Sequence, residues 1–120
     1  MGKILVVDDD DAVRNVMAQM LAFLGYAVVT AANGLDAIDL FTSEGEQIHL
    51  VVTDLRMPVM DGYEIVDRIR RLKPSAPIVC MSSYATVPCP AGTRFLAKPF
   101  SLAAVKECVE EAMLFRGSDS

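Results

Sequence analysis

Positive charge is scarce in this 120-residue sequence. Eleven lysines and arginines stand against 16 aspartates and glutamates, so the net charge is −5, and we expect no nucleic acid binding by this chain. One uncharged stretch, from Pro74 to Thr93, is long enough to consider as a membrane span. Its four prolines and many small or polar residues exclude a transmembrane helix there.

Cysteine is also rare. The three cysteines, Cys80, Cys89 and Cys108, are an odd number and contain no C-x-x-C motif, so they indicate neither a disulfide framework nor a zinc site. The chain begins with Met1-Gly2-Lys3 and a short apolar run, which is not the pattern of a secretion signal. We therefore expect free thiols and a cytoplasmic location, with no membrane partner.

Length and composition otherwise match one globular domain. Hydrophobic residues make up 52% of the sequence and charged residues 22%, which argues against disorder. A chain of this length can bury a core without a metal or disulfide. We predict one domain over residues 1–116 and a frayed tail over 117–120.

Short apolar runs alternate with helical patterns along the chain. The apolar runs predict five strands, at 4–7, 27–30, 49–53, 77–81 and 94–97. Apolar residues spaced three and four apart predict helices over 11–24, 35–45, 61–73 and 101–113. This alternation predicts a doubly wound α/β fold with a parallel sheet in the order 2-1-3-4-5. Ligands of such folds bind at the carboxyl ends of the strands, near the switch between the first and third.

Polar side chains follow four of the predicted strands. Asp8 and Asp9 follow the first, Asp54 the third, Ser82 the fourth and Lys98 the fifth. Neighbouring strands lie about 4.8 Å apart, so the three carboxylates would share one pocket. Two carboxylates about 4 Å apart repel by roughly 4 kcal/mol at an effective dielectric constant near 20, so positive charge must compensate. Lys98 supplies one charge, and an all-oxygen site with several waters suits Mg²⁺.

Aspartates that follow a strand often only cap the next helix. We interpret Asp10 and Asp11 in this way, and Asp61 as the cap of the third helix. The central position of the first strand and the run of four acidic residues favour a site role for Asp8 and Asp9.

Four segments together resemble the receiver domain of two-component response regulators. They are 4–9 (ILVVDD), 52–62 (VTDLRMPVMDG), the pair Met81-Ser82, and 95–100 (FLAKPF). The D-x-x-M-P-x-M-D-G string with an upstream acidic pair and a downstream K-P is highly specific, and the resemblance covers essentially the whole chain. It implies a flavodoxin-like fold, Mg²⁺ as the cofactor, and a histidine kinase or histidine phosphotransfer protein as the partner.

The family motif also implies a chemical role for each matching residue. Asp54 matches the aspartate that accepts the phosphoryl group, and Lys98 matches the lysine that pairs with that aspartate or its phosphoryl group. Asp9 matches the direct Mg²⁺ ligand, Asp8 the acidic neighbour that acts through water, and Arg56 the residue that offers its backbone carbonyl to the metal.

The resemblance implies a conformational switch as well. Ser82 matches the hydroxyl that hydrogen-bonds a phosphoryl oxygen, and Phe95 matches the aromatic switch position. The Lys98-Pro99 peptide bond is expected to be cis, as in the family.

The segment between Ser82 and Lys98 departs from the family pattern. It spans 16 positions, fewer than in a typical member, and Pro88 and Pro90 cannot both lie inside a helix. We predict that the family's fourth helix is shortened or absent, with a loop or at most one short turn over 84–93. Because that helix forms part of the family's usual dimer face, we expect a monomer.

Two other functions are alternatives to the receiver. A phosphatase of the haloacid dehalogenase kind also uses an aspartate after the first strand, but its D-x-D-x-T/V motif fails at Ala12. A flavodoxin-like FMN carrier needs a phosphate-binding loop where this chain has four aspartates. A receiver could stand alone or belong to a hybrid histidine kinase, and we expect it to be a self-phosphorylating signalling domain and not an enzyme.

Overall fold

Strands and helices alternate along the chain, as a computed structural model shows for residues 2–84 and 87–115. The elements are β1 (Lys3–Val7), α1 (Asp11–Phe23), β2 (Ala27–Ala31), α2 (Gly34–Glu44), β3 (Ile48–Asp54), α3 (Gly62–Leu72), β4 (Ile78–Ser82), β5 (Arg94–Ala97) and α4 (Leu102–Phe115). The five strands form one parallel sheet in the order β2-β1-β3-β4-β5, which confirms the predicted fold class. The predicted tail, 117–120, lies outside the described residues.

The central strands of the sheet set the position of the acidic residues. β1 pairs with β2 on one side and β3 on the other, so Val7 lies opposite both Ala31 and Thr53. Their continuous apolar sequences suit strands that are covered on both faces. Because these pairings end at the same level, the next residues, Asp8 and Asp54, emerge side by side at the carboxyl edge.

A hydrophobic cluster lies on each face of the sheet. α2 and α3 cover one face, and α1 and α4 cover the other. The fully buried helix side chains that anchor these layers include Met17, Leu21, Ile65, Ile69 and Val105. Burial of each such side chain stabilises the fold by about 1.5–3 kcal/mol. These contacts hold the helices against the sheet and so fix the ends of its strands. Among the described residues, no helix combines the length and apolar character needed to cross a bilayer.

Polar side chains define where the helices begin. Asp10, Asn33, Asp61 and Ser101 each accept a backbone N–H group from the first turn of the following helix. Such caps satisfy donors that a helix start otherwise leaves unpaired. Asp10 and Asp61 are therefore caps, as expected, whereas Asp11 is the first residue of α1.

The connection from β4 to β5 contains no helix within its described residues, 83–84 and 87–93. Instead, Val87 and Cys89 pack against the cluster on the α3 side of the sheet. The Tyr63 hydroxyl of α3 donates a hydrogen bond to the Pro88 carbonyl at 2.5 Å. For this part of the chain, the loop predicted from the two prolines is confirmed. We call residues 83–93 the β4–β5 segment.

Candidate functional site

Three carboxylates meet at the carboxyl edge of β1 and β3. One oxygen from each of Asp8, Asp9 and Asp54 lies within 4.8 Å of the other two. Asp8 is fully buried and Asp54 is 6% exposed, whereas Asp9 is exposed. The structure thus brings together the three carboxylates that the sequence placed after the first and third strands.

Lys98 reaches into this pocket from the end of β5. Its Nζ lies 2.9 Å from Asp8 Oδ2 and 3.1 Å from Asp54 Oδ1. Its backbone N–H donates to the Ser82 carbonyl at 2.9 Å, which ties the end of β5 to the end of β4. The Lys98-Pro99 peptide bond is cis, as expected. One ammonium group therefore bridges two buried carboxylates.

Burial and the neighbouring charges both shift the pKa values of Asp54 and Lys98. Burial raises the pKa of Asp54 above its ordinary value, and the carboxylates of Asp8 and Asp9 add to that effect, while Lys98 opposes it. Burial by itself would lower the pKa of Lys98, but hydrogen bonds to Asp8 and Asp54 carry it above its ordinary value. Lys98 therefore stays charged at neutral pH and is one ammonium among three carboxylates.

Ser82 ends β4 beside the acidic pocket, with Met81 paired to Asp54 on the neighbouring strand. The Ser82 side chain is almost fully buried. Its Oγ accepts the backbone N–H of Tyr84 at 3.0 Å and donates to the Tyr84 carbonyl at 3.4 Å. The hydroxyl is therefore bonded within its own turn. Phe95, on β5, is 37% exposed.

Two arginines make contacts that the sequence did not predict. The Arg14 guanidinium donates to the Asp8 backbone carbonyl at 2.8 Å and pairs with Asp11. The spacing of three from Asp11 could have indicated the ion pair, but nothing in the sequence indicated the bond to Asp8. The Arg56 guanidinium lies 4.8 Å from the centre of the Tyr84 ring, a cation–π contact that links the β3–α3 loop to the β4–β5 segment.

Gly62 explains why a glycine follows Asp61 at the start of α3. A Cβ at position 62 would clash with the Asp54 carbonyl oxygen and with Leu55 Cα. The absence of a side chain lets the first turn of α3 pack directly against the end of β3. This close approach fixes the backbone that carries Asp54.

The donor set of the pocket fits a hard divalent cation. The three clustered side chains all offer carboxylate oxygens, the ligands that Mg²⁺ prefers. With Lys98 as the only ammonium bound to the described members of the cluster, negative charge exceeds positive charge. A divalent cation would balance that excess.

Comparisons with known proteins agree with this geometry. Residues 4–110 match the family described as response regulator receiver domain. The chain is 34% identical over 116 residues to the sensor kinase CckA of Brucella abortus (strain 2308), covering 92% of this chain and 12% of CckA. It is 30% identical over 116 residues to the transcriptional regulatory protein GlrR of Escherichia coli (strain K12), covering 92% of this chain and 26% of GlrR.

Solved structures give the same result. The receiver domain of the hybrid histidine kinase CckA has a TM-score of 0.82 and 35% identity, covering 93% of this chain and 99% of that one. The chemotaxis protein CheY4 of Vibrio cholerae has a TM-score of 0.83 and 28% identity, covering 93% and 98%. The chain thus spans a small part of the two curated relatives but nearly all of these solved chains. The family match favours the receiver over the phosphatase and the FMN carrier.

Proposed function

This chain belongs to the response regulator receiver family, a family of signalling domains, and on that premise we propose that Asp54 is its phospho-acceptor. Asp54 takes a phosphoryl group from the phosphohistidine of a histidine kinase or histidine phosphotransfer protein. The observation that carries this assignment is the bridging of Asp54 and Asp8 by Lys98 at the edge of the sheet. We propose that the domain extends over 1–116.

The residues of the pocket position and neutralise the reacting groups. Phosphoryl transfer depends on alignment and charge stabilisation more than on covalent chemistry by the protein. Lys98 contacts Oδ1 of Asp54, so we assign the second carboxylate oxygen as the nucleophile. The same ammonium can then pair with an oxygen of the transferred group, because its raised pKa keeps it protonated.

We assign Asp9, Asp54 and the Arg56 backbone carbonyl as the direct ligands of Mg²⁺. Both oxygens of Asp8 already have partners, since Oδ1 accepts the Asp10 N–H at 2.9 Å and Oδ2 binds Lys98. Asp8 would therefore contact the metal ion through a bound water molecule. When bound, Mg²⁺ supplies positive charge that offsets the negative charge of the incoming phosphoryl group.

The switch begins at Ser82. An aspartyl phosphate carries more negative charge than a carboxylate and offers new acceptor oxygens. We propose that the Ser82 hydroxyl then donates to a phosphoryl oxygen and gives up its bond to the Tyr84 carbonyl. The released turn changes the path of the β4–β5 segment, and Phe95 turns inward as part of the same change.

The partner approaches through an apolar groove beside Lys98. Ala12, Val13 and Val16 of α1 line one side, and Pro99 and Phe100 line the other. Lys98, which pairs with Asp54, lines the same groove, so we expect a protein that presents a phosphohistidine to Asp54 to contact the groove with an apolar face. Val16 is 43% exposed, and Val16→Asp should slow phosphorylation by a protein donor but not by acetyl phosphate.

We also propose that the domain catalyses only its own phosphorylation and acts as a monomer in the cytoplasm. The three free cysteines fit a reducing compartment. Because the relatives include a sensor kinase and a transcriptional regulator, the parent protein would be a histidine kinase only if it resembles the former.

The proposal is tested by incubating the protein with acetyl phosphate and Mg²⁺ and measuring the intact mass. We expect one labile phosphoryl adduct on the wild-type protein and none on Asp54→Asn. Asp39→Asn changes an exposed aspartate of α2 in the same chemical way and should accept the phosphoryl group normally. Equal phosphorylation of wild type and Asp54→Asn would contradict the assignment.

A further inference from the structure

Cys80 and Cys89 both lie on the α3-covered face of the sheet. Cys80 lies on β4 and is fully buried. Cys89 belongs to the β4–β5 segment, is half-buried, and packs against the hydrophobic cluster that contains Cys80. Burial raises the pKa of the Cys80 thiol, and the nearby Cys89 adds to that rise. Both thiols are free.

Cys108, the third cysteine, lies apart from this pair. It belongs to α4 and to the cluster on the opposite face of the sheet. Its Sγ contacts the Phe95 carbonyl oxygen at 3.8 Å. The sheet therefore separates Cys108 from Cys80, and these two cannot pair without unfolding.

We propose that Cys80 and Cys89 are a reversible oxidation site, at which a peroxide forms an intramolecular disulfide that fastens the β4–β5 segment to β4. The segment suits this reaction because its described part is irregular loop between the two strands. A loop can close the remaining distance between the sulfurs without displacing a helix.

The two sulfurs have different roles. Cys89 is the more exposed and reacts first. Burial raises the pKa of Cys80 to about 12, so Cys80 remains a thiol and acts second.

The reaction balances with one peroxide molecule. The Cys89 thiolate attacks a peroxide oxygen, the O–O bond breaks, and Cys89 becomes a sulfenic acid while hydroxide leaves. The Cys80 sulfur then attacks the Cys89 sulfur, the S–O bond breaks, and the Cys80 proton leaves with the departing oxygen as water. Hydrogen peroxide is reduced to water, and the two thiols are oxidised to one disulfide.

The disulfide would act on the proposed switch. The ring that it closes, from Cys80 to Cys89, contains both Ser82 and Tyr84. Since the Ser82 hydroxyl is bonded to the Tyr84 backbone, fastening the segment restricts the movement that frees this hydroxyl. This consequence rests on the proposed function, but formation of the disulfide does not.

The modification is tested on the folded protein with hydrogen peroxide, followed by alkylation and peptide mapping without reductant. We expect a peptide that joins Cys80 to Cys89, a loss of two hydrogen atoms in the intact mass, and reversal by dithiothreitol. Cys89→Ser should abolish the linked peptide, and Cys108→Ser should retain it. Oxidation that stops at a Cys89 sulfinic acid, or that joins two chains through Cys89, would overturn the proposal.

A second measurement distinguishes formation of the disulfide from its proposed effect on the switch. The reduced and oxidised proteins are each incubated with acetyl phosphate and Mg²⁺, and Tyr84 and Phe95 are followed by NMR. We expect the oxidised protein to lack the phosphorylation-dependent shifts of these rings that the reduced protein shows. Equal shifts in both forms would overturn the regulatory consequence, whereas no phosphorylation of the reduced form would overturn the proposed function instead.

Discussion

Replacing the phospho-acceptor by asparagine should stabilise the fold. Asp54 is nearly buried, and its carboxylate lies among two others with one ammonium to offset them. Asparagine keeps the shape and an oxygen that can accept a hydrogen bond from Lys98, but it removes the charge. We therefore expect Asp54→Asn to unfold at a higher temperature than the wild type when a chelator removes divalent cations.

The distances and the burial in the pocket give the size of the stability gain expected for Asp54→Asn. The carboxylate oxygens lie within 4.8 Å of one another, so each neighbour repels Asp54 by about 3.5 kcal/mol at an effective dielectric constant near 20. Lys98, at 3.1 Å, attracts it by about 5 kcal/mol on the same scale. Lys98, which also donates a hydrogen bond to Asp54, thus offsets the two repulsions, and the burial of the charged carboxylate decides the sign. We expect a gain for Asp54→Asn of about 1–2 kcal/mol, the free energy of roughly one pKa unit, which corresponds to about 3–10 °C in melting temperature for a domain of this size.

The stability difference between Asp54→Asn and wild type should depend on pH in one direction. Burial and the neighbouring carboxylates raise the pKa of folded Asp54 above 3.8, so the folded state binds its proton more tightly than the unfolded state. As the pH rises from the unfolded-state pKa of Asp54 to its higher folded-state pKa, the wild type loses stability relative to the variant. The advantage of Asp54→Asn should therefore be small below pH 3.8, grow as the pH rises, and level off above the folded pKa.

Urea unfolding of both proteins at several pH values in chelator measures this difference. Asp39→Asn, on the exposed face of α2, controls for a general effect of removing one negative charge from an acidic protein. An Asp54→Asn protein that is no more stable than wild type at neutral pH, or whose advantage shrinks as the pH rises, would refute the account of the pocket.

Three further expectations concern Lys98, Asp9 and the oligomeric state. Lys98→Met should destabilise the fold by about 3–5 kcal/mol, because it leaves buried carboxylates without their cation; in urea unfolding, adding Asp54→Asn should restore part of the loss. In wild type, the contribution of Lys98 should persist below pH 10.5 and disappear as the pH rises through its raised pKa. Mg²⁺ should raise the wild-type melting temperature by binding the native state, and Asp9→Ala should remove that rise; an unchanged rise would place the metal elsewhere. Light scattering with beryllofluoride and Mg²⁺ should show a monomer, and conversion to a dimer would contradict the inference from the β4–β5 segment.

Regular periodicity made the strands and helices predictable. The run from Ile4 to Val7 is a strand in the structure, with Lys3 added at its start. Ala27 begins β2 as expected, and Arg94 to Ala97 form β5. Because ligand-binding residues of such folds follow the strand ends, the predicted strands also located the acidic pocket.

Side-chain contacts that do not follow from the hydrophobic pattern were not predictable. Arg14 reaches the Asp8 carbonyl from the first turns of α1, back across the connection between β1 and α1. The bonds between Ser82 and Tyr84, and the contact of Cys89 with the core, depend on the path of the irregular β4–β5 segment. The two prolines indicated that no continuous helix could form there, but they did not determine which side chains would cover the sheet instead.

The most direct test of the central claim locates the phosphoryl group on the chain. After incubation with acetyl phosphate and Mg²⁺, borohydride reduction converts an aspartyl phosphate into homoserine, which peptide mass spectrometry assigns to one residue. We expect homoserine at position 54 in the wild-type protein and no conversion in Asp54→Asn. Conversion at Asp8 instead would contradict the receiver assignment and support the phosphatase.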